Sequence, residues 1–186
     1  MDQLAQQQHL LAELAKPERF PHPVGQVERL ETHLSTILLA GDYAYKIKKP
    51  LDLGFADFTD LAKRGHFCAE EVRLNQRLAP ELYLRRAAIT GTVEAPTIDG
   101  VGAPIEYAVV MRRFPQEALL DHLLKQNALP PDSMETLGAH LAAVHAAAPA
   151  APADSTFGQP RHIAELALDN LRVLAKLAPP DWQNAL

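Results

Sequence analysis

Lys46 and Glu71 are the two residues whose types and positions have the most specific chemical use. Lys46 closes the run Tyr43-Ala44-Tyr45-Lys46, and the period-two geometry of a strand puts Ala44 and Lys46 on one face. A flat base can lie over so small a side chain while the ammonium reaches its phosphates. Glu71 falls on a helical stripe with Phe67, Leu74 and Leu78, four after the first and three before the second. A carboxylate on a buried stripe needs a cation, because an unpaired buried charge is costly, and the lysine of the strand is the partner at hand. Glu70, one position off the stripe, competes for that role. Another arrangement fits the same letters: Glu70 and Glu71 solvated opposite Arg73 and Arg77, with Lys46 on an edge strand pointing into water.

The elements that would position this pair can be read along the chain. Residues 32–49, THLSTILLAGDYAYKIKK, form a hairpin turned at Ala40-Gly41-Asp42, with Tyr43, Tyr45 and Ile47 alternating against Ala44, Lys46 and Lys48. Before it, Leu4, Leu10, Leu11 and Leu14 mark an amphipathic helix stopped by Pro17, and Pro17, Pro21 and Pro23 make a rigid connector. Residues 24–31 read as the first strand, and residues 32–35 as its turn. Thr32 and Ser35 there could meet a phosphate through hydroxyl or backbone N–H, or be ordinary turn residues. After the hairpin, Leu53, Phe55 and Phe58 should pin an apolar loop to the sheet. A helix capped by Thr59 is expected to run to about residue 79, ahead of Pro80.

Two further strands, residues 82–90 and 92–98, carry turn signals at Gly91 and Asp99-Gly100. The run at residues 105–111 is apolar enough for a strand buried on both sides. It suits a strand that passes behind a nucleotide and offers the backbone of Val110, Met111 and Arg112 to an adenine edge; it suits a plain core strand equally well. Helices follow, one with Leu119, Leu120, Leu123 and Leu124, and one begun at Asp132 with Met134, Leu137, Leu141 and Val144. His140 and His145 are five apart, about 140° around a helix, which is not the spacing of a two-histidine metal site. An Ala/Pro stretch at residues 146–152, a last helix at residues 161–177 and Trp182 complete the order.

With 47% hydrophobic and 22% charged residues, the 186-residue chain can bury one core, or two small lobes around a cleft. A net charge of −5 gives no pull toward nucleic acid or an anionic membrane, although Lys48-Lys49 could still meet a phosphate locally. The lone Cys68 rules out an internal disulfide. No stretch resembles a signal peptide or a membrane span, so the expected location is the cytoplasm.

Taken in order, these features resemble the small lobe of a protein-kinase-like fold, where a Val-Ala-Ile-Lys strand has the shape of Tyr43-Ala44-Tyr45-Lys46. More narrowly, the chain resembles the aminoglycoside-phosphotransferase-like kinases, in a bacterial group fused to a C-terminal P-loop ATP-binding domain. The runs that carry this are THLSTILLAGDYAYKIKKPLDLGFADF, HFCAEEVRLNQRLAPELYL, EYAVVMRRFP and LGAHLAAVHAAAP. The resemblance implies an α+β fold: a connector region (1–23), a kinase-like small lobe of antiparallel sheet plus one helix (24–115), and the incomplete start of a helical lobe (116–186). It also implies ATP with magnesium, Lys46 on the phosphates, Glu71 or Glu70 as its ion pair, Ala44 as the adenine floor and residues 110–112 as the hinge. The acceptor would be an unidentified small molecule. The catalytic pattern H-G-D-x-x-x-x-N occurs nowhere in these residues, nor does a P-loop, and His162 and Asp169-Asn170 lie on a helical pattern. These residues are therefore expected to hold nucleotide without transferring phosphate, as one part of a phosphotransferase whose remainder, or a P-loop domain, is the partner. A non-catalytic protein-interaction module on the same small lobe is the rival expectation.

Overall fold

Apolar residues at helical spacing begin the structure: in helix α1 (Gln3–Leu14), Leu10, Leu11 and Leu14 are buried, together with Gln7. The computed structural model describes residues 3–54 and 56–177; Phe55 and Trp182, both singled out above, lie outside the described residues. Strand β1 (Val27–Glu31) leads into β2 (Ser35–Ala40) and β3 (Tyr43–Lys48). The last two are joined by the two-residue turn Gly41-Asp42, and Gly41 takes the positive φ of 56° that such a tight hairpin requires. Helix α2 (Leu61–Asn75) comes next, then β4 (Tyr83–Gly91), β5 (Pro96–Ile98) and β6 (Glu106–Arg112). The six strands form one antiparallel sheet in the order β1-β2-β3-β6-β4-β5, so the fold is α+β with β6 inserted beside β3.

Each face of the sheet carries one helix. Leu10, Leu11, Leu14 and Phe20 pack with Leu38, Tyr45, Ile47, Ile89, Ala108 and Val110, which makes α1 part of the main core rather than a separate region. On the other face Cys68 and Val72 of α2 pack on Val109, with Tyr83, Tyr107 and Met111 around them. The buried face of α2 therefore differs from the expected stripe: Arg64, Gly65, Cys68 and Val72 are buried, while Leu74 and Leu78 are exposed. The N-cap also moves. Asp60, not Thr59, accepts the Lys63 N–H at 2.7 Å, while Thr59 donates to Asp57. The helix ends at Asn75, four residues before the expected limit, and the expected strand at residues 92–98 is paired only over Pro96–Ile98.

Helices α3 (Leu120–Lys125) and α4 (Ser133–Ala147) follow the sheet, and α5 (Pro160–Leu177) comes last. Two compact units divide the chain, Met1–Val144 and His145–Leu186. The first holds the sheet with α1 to α3. The second holds α5, whose Ile163, Leu166, Leu171 and Leu174 are exposed. Among the described residues no helix is long and apolar enough to cross a membrane.

Candidate functional site

Strand register decides which side chains share a face. Leu39 lies opposite Ala44, Ile37 opposite Lys46 and Ser35 opposite Lys48, while Met111 and Val109 flank Ala44 and Lys46 from β6. With Glu28 and Leu30 of β1 in the same row, this is the face that α2 covers. Ala44 and Lys46 thus stand side by side on the α2 face, as the two-residue period requires.

α2 brings Glu71 over them. Lys46 Nζ donates to Glu71 Oε1 at 2.7 Å, and Lys48 Nζ donates to Oε2 at 2.5 Å. Burial by itself would raise the Glu71 carboxyl, but the hydrogen bonds from the two ammonium groups outweigh it and hold its pKa below the ordinary value of 4.5. The cluster holds two ammonium groups and one carboxylate, so one unit of positive charge is unmatched within it. The choice between the two glutamates is settled by geometry. Glu70 points outward and pairs with Arg73 at 2.6 Å, one position around the helix from the sheet.

Behind the cluster sits a second charged group that the sequence did not flag. Glu106, at the head of β6, is buried and accepts from Arg64 Nε at 2.9 and 3.0 Å and from Gln7 Nε2 at 2.7 Å. Gln7 Nε2 also donates to the main-chain oxygen of Lys48 at 2.8 Å, so α1, α2, β3 and β6 meet at one buried carboxylate. The signal was present: a glutamate opening an apolar strand must bury its charge against a cation. Lys48 was equally legible, being two residues from Lys46 on the same face.

Three expectations need correction. Val110, Met111 and Arg112 do not offer a free backbone edge, because β6 is paired with β3 and β4 on its two sides and the Arg112 N–H goes to Leu82 O. Arg113 N–H is taken by Asp42 O, and past β6 Phe114 is the first residue whose main chain has no hydrogen bond among the described residues. Ser35 does not hold out its N–H to a phosphate. It is buried in β2, and that N–H goes to Thr32 Oγ1 at 2.9 Å, while the Thr32 hydroxyl donates back to Ser35 O at 3.0 Å. Of the loop expected to pin the sheet, Phe58 is buried edge-on to Phe67 and Leu53 is exposed.

A cavity of about 570 Å³ opens past the Ala44 end of the face, lined by Glu28, Leu30, Leu39, Gly41, Asp42 and residues 113–117. Glu28 and Arg113 span it with a 2.7 Å ion pair. His140 Nε2 meets Leu78 O at 2.9 Å, and among the described residues no group of three or more His, Cys, Asp or Glu could hold a metal ion.

Comparison with known proteins adds little chemistry. Uncharacterized proteins of Mycobacterium bovis and Mycobacterium tuberculosis are 38% identical over 96 residues, which is 50% of this chain and 18% of each relative. The chain thus spans less than a fifth of those relatives. No family model matches the chain, and no solved structure matches it.

Proposed function

We propose that these residues hold the phosphates and base of a nucleoside triphosphate, as the kinase-like small lobe of an ATP-dependent phosphotransferase of the aminoglycoside-phosphotransferase-like group. The observation that carries the reading is the Lys46–Glu71 pair at 2.7 Å between a central strand and the covering helix, beside Ala44 on one face. An ammonium on a rigid strand, oriented by a carboxylate, suits phosphate oxygens. The unmatched positive charge of the cluster supports an anionic ligand. The 570 Å³ cavity past Ala44 lies within the usual range for small-molecule pockets, and its Phe114 main chain is free to meet a base edge.

In this reading Lys46 would meet the phosphates and Ala44 and Leu39 would floor the base. Both oxygens of Glu71 are taken by lysines, so magnesium would be held by the phosphates and by residues other than this cluster. The general base of phosphoryl transfer is not among these residues, since the H-G-D pattern does not occur in them. The role proposed for them is binding and orientation, with the acceptor met elsewhere.

Titrating magnesium-ATP into the unaltered chain and into Lys46→Ala, with thermal shift as the readout, tests this. The unaltered protein should be stabilised and the variant should not. Equal shifts, or none in either, would overturn it. A protein-interaction role is the second reading. The observation favouring it is the exposed row Ile163, Leu166, Leu171 and Leu174 on α5, an apolar stripe of the kind that partners cover.

A further inference from the structure

A second cavity, of about 450 Å³, lies where α1, the start of α2 and the segment leading into β6 meet. It shares no lining residue with the cavity past Ala44. Leu10, Leu61, Val93, Pro104 and Ile105 give it apolar walls, and Gln7, Arg64 and Glu106 form a polar one. Those three are bound to one another. Gln7 Nε2 and Arg64 Nε both donate to Glu106 Oε2, at 2.7 and 3.0 Å, so a carboxamide and a guanidinium are held together on one buried carboxylate. Charge in the group is balanced, because Glu106 offsets Arg64.

Its hydrogen bonding is not complete. Gln7 is 5% exposed, and Nε2 spends its two hydrogens on Glu106 and on Lys48 O. The two ends of an amide point apart, so Oε1 is turned away from both partners; it is buried and accepts from nothing among the described residues. A buried carbonyl oxygen without a donor is costly. Arg64 spends Nε on Glu106 and Nη1 on Phe58 O and Thr59 O, which leaves Nη2 without a partner among the described residues. One unmet acceptor and one unmet donor therefore belong to the same wall.

We propose that this cavity binds a small neutral amide, a carboxamide or lactam, whose N–H donates to Gln7 Oε1 and whose carbonyl oxygen accepts from Arg64 Nη2. Its apolar body would lie against Leu10, Leu61 and Ile105. Other chemistries satisfy only half of the wall. A carboxylate would set an oxygen against Gln7 Oε1 beside the Glu106 charge, an ammonium would face the guanidinium, and a ketone would leave Gln7 unpaired. An amide carries one donor and one acceptor on neighbouring atoms and no charge, and the volume is within the range of small-molecule pockets. The site is independent of the nucleotide reading and stands or falls by itself.

Nuclear magnetic resonance titration of the isotope-labelled full chain tests it, with benzamide compared against acetophenone and benzoate, and δ-valerolactam against cyclohexanone. In at least one set the amide should saturate below about 10 mM and bind at least about tenfold more tightly than its controls. The resonances that move should be those of Gln7, Leu10, Leu61 and Ile105. Binding by neither amide would mean that water alone meets Gln7 and Arg64, and would overturn the proposal. Equal binding by the ketones, or movement centred on Gly41 and Phe114 in the other cavity, would overturn it too. Gln7→Met, which removes the acceptor, should cost about tenfold in amide affinity. Where that variant does not fold, Leu61→Trp fills the cavity from the α2 side without touching the buried carboxylate group and should abolish binding. Unchanged affinity in whichever variant folds counts against the site.

Discussion

Glu71 is the residue on which the cluster balances, because among the described residues its charge is the only negative one between Lys46 and Lys48. Its carboxyl binds a proton less tightly when folded than in the unfolded chain, since the two ammonium groups outweigh the effect of burial. The sign follows by linkage: this contribution to stability is complete above the ordinary value of 4.5 and is lost as pH falls through the lower folded pKa. Unfolding of the unaltered protein should therefore become easier below pH 4.5, and the difference between it and Glu71→Gln should shrink over the same interval. At neutral pH, Glu71→Gln leaves two lysines without their carboxylate and should cost about 3 kcal/mol, the low end for a broken buried pair because Lys46 is partly exposed. Denaturant midpoints of both proteins between pH 3 and 7, read as a difference, check this; a difference constant across the range would contradict it. Other carboxyls such as Glu31 and Asp57 are also depressed and contribute to both proteins alike, so the difference isolates Glu71.

At the scale of elements, α2 shows what was legible and what was not. Glu71 meets Lys46 although Leu74 and Leu78, two residues of the stripe that pointed to it, are exposed; the hairpin followed from period-two alternation and strand β6 from its unbroken apolar run. The packed face of α2 did not, because it is not made of large apolar residues. Arg64 is buried through its pairing with Glu106, Cys68 is small, and Gly65 is there for contact distance. A Cβ at Gly65 would lie 2.7 and 2.9 Å from the Tyr107 ring, whose face is covered by the Arg86 guanidinium at 4.8 Å. Arg86 in turn donates to Gly65 O at 3.1 Å, so the ring cannot easily yield. Gly65→Ala should lower stability despite alanine's better helix propensity of about 1 kcal/mol, because overpacking costs about 1–3 kcal/mol. Gly138 of α4 has nothing within 4 Å of such a Cβ, so Gly138→Ala should gain about 1 kcal/mol of local helix stability. Hydrogen exchange of the α2 and α4 amides separates the two: faster exchange in α2 for the first variant, slower exchange in α4 for the second. The same change in both helices would deny the close approach at Gly65.

For the whole molecule, the division at residue 144 has a consequence that a protease can read. Sequence patterns mark a change at Pro115, where strands give way to helices, and contacts divide the chain after most of α4. A change of secondary structure is local and visible in composition, whereas a unit boundary depends on which residues meet across the chain. Beyond α4, residues 148–159 contain Phe157, 76% exposed and the one exposed Phe or Tyr among the described residues. Chymotrypsin requires both an aromatic side chain and a stretch of backbone it can engage, and the other described aromatics are buried or half-buried, several of them in paired strands. Brief digestion at low enzyme ratio should therefore cut first after Phe157 and release a fragment of residues 1–157 containing the whole sheet, α1 and α2. That fragment should keep a cooperative thermal transition close to that of the intact chain, since the cores formed by Leu10, Leu11, Leu14 and Phe20 and by Cys68, Val72 and Val109 lie within it. Phe157→Ala should slow the first cut. Mass spectrometry of the early products decides the matter, and first cuts between β2 and β6 would show that the sheet opens more readily than its paired strands and buried ion pairs allow.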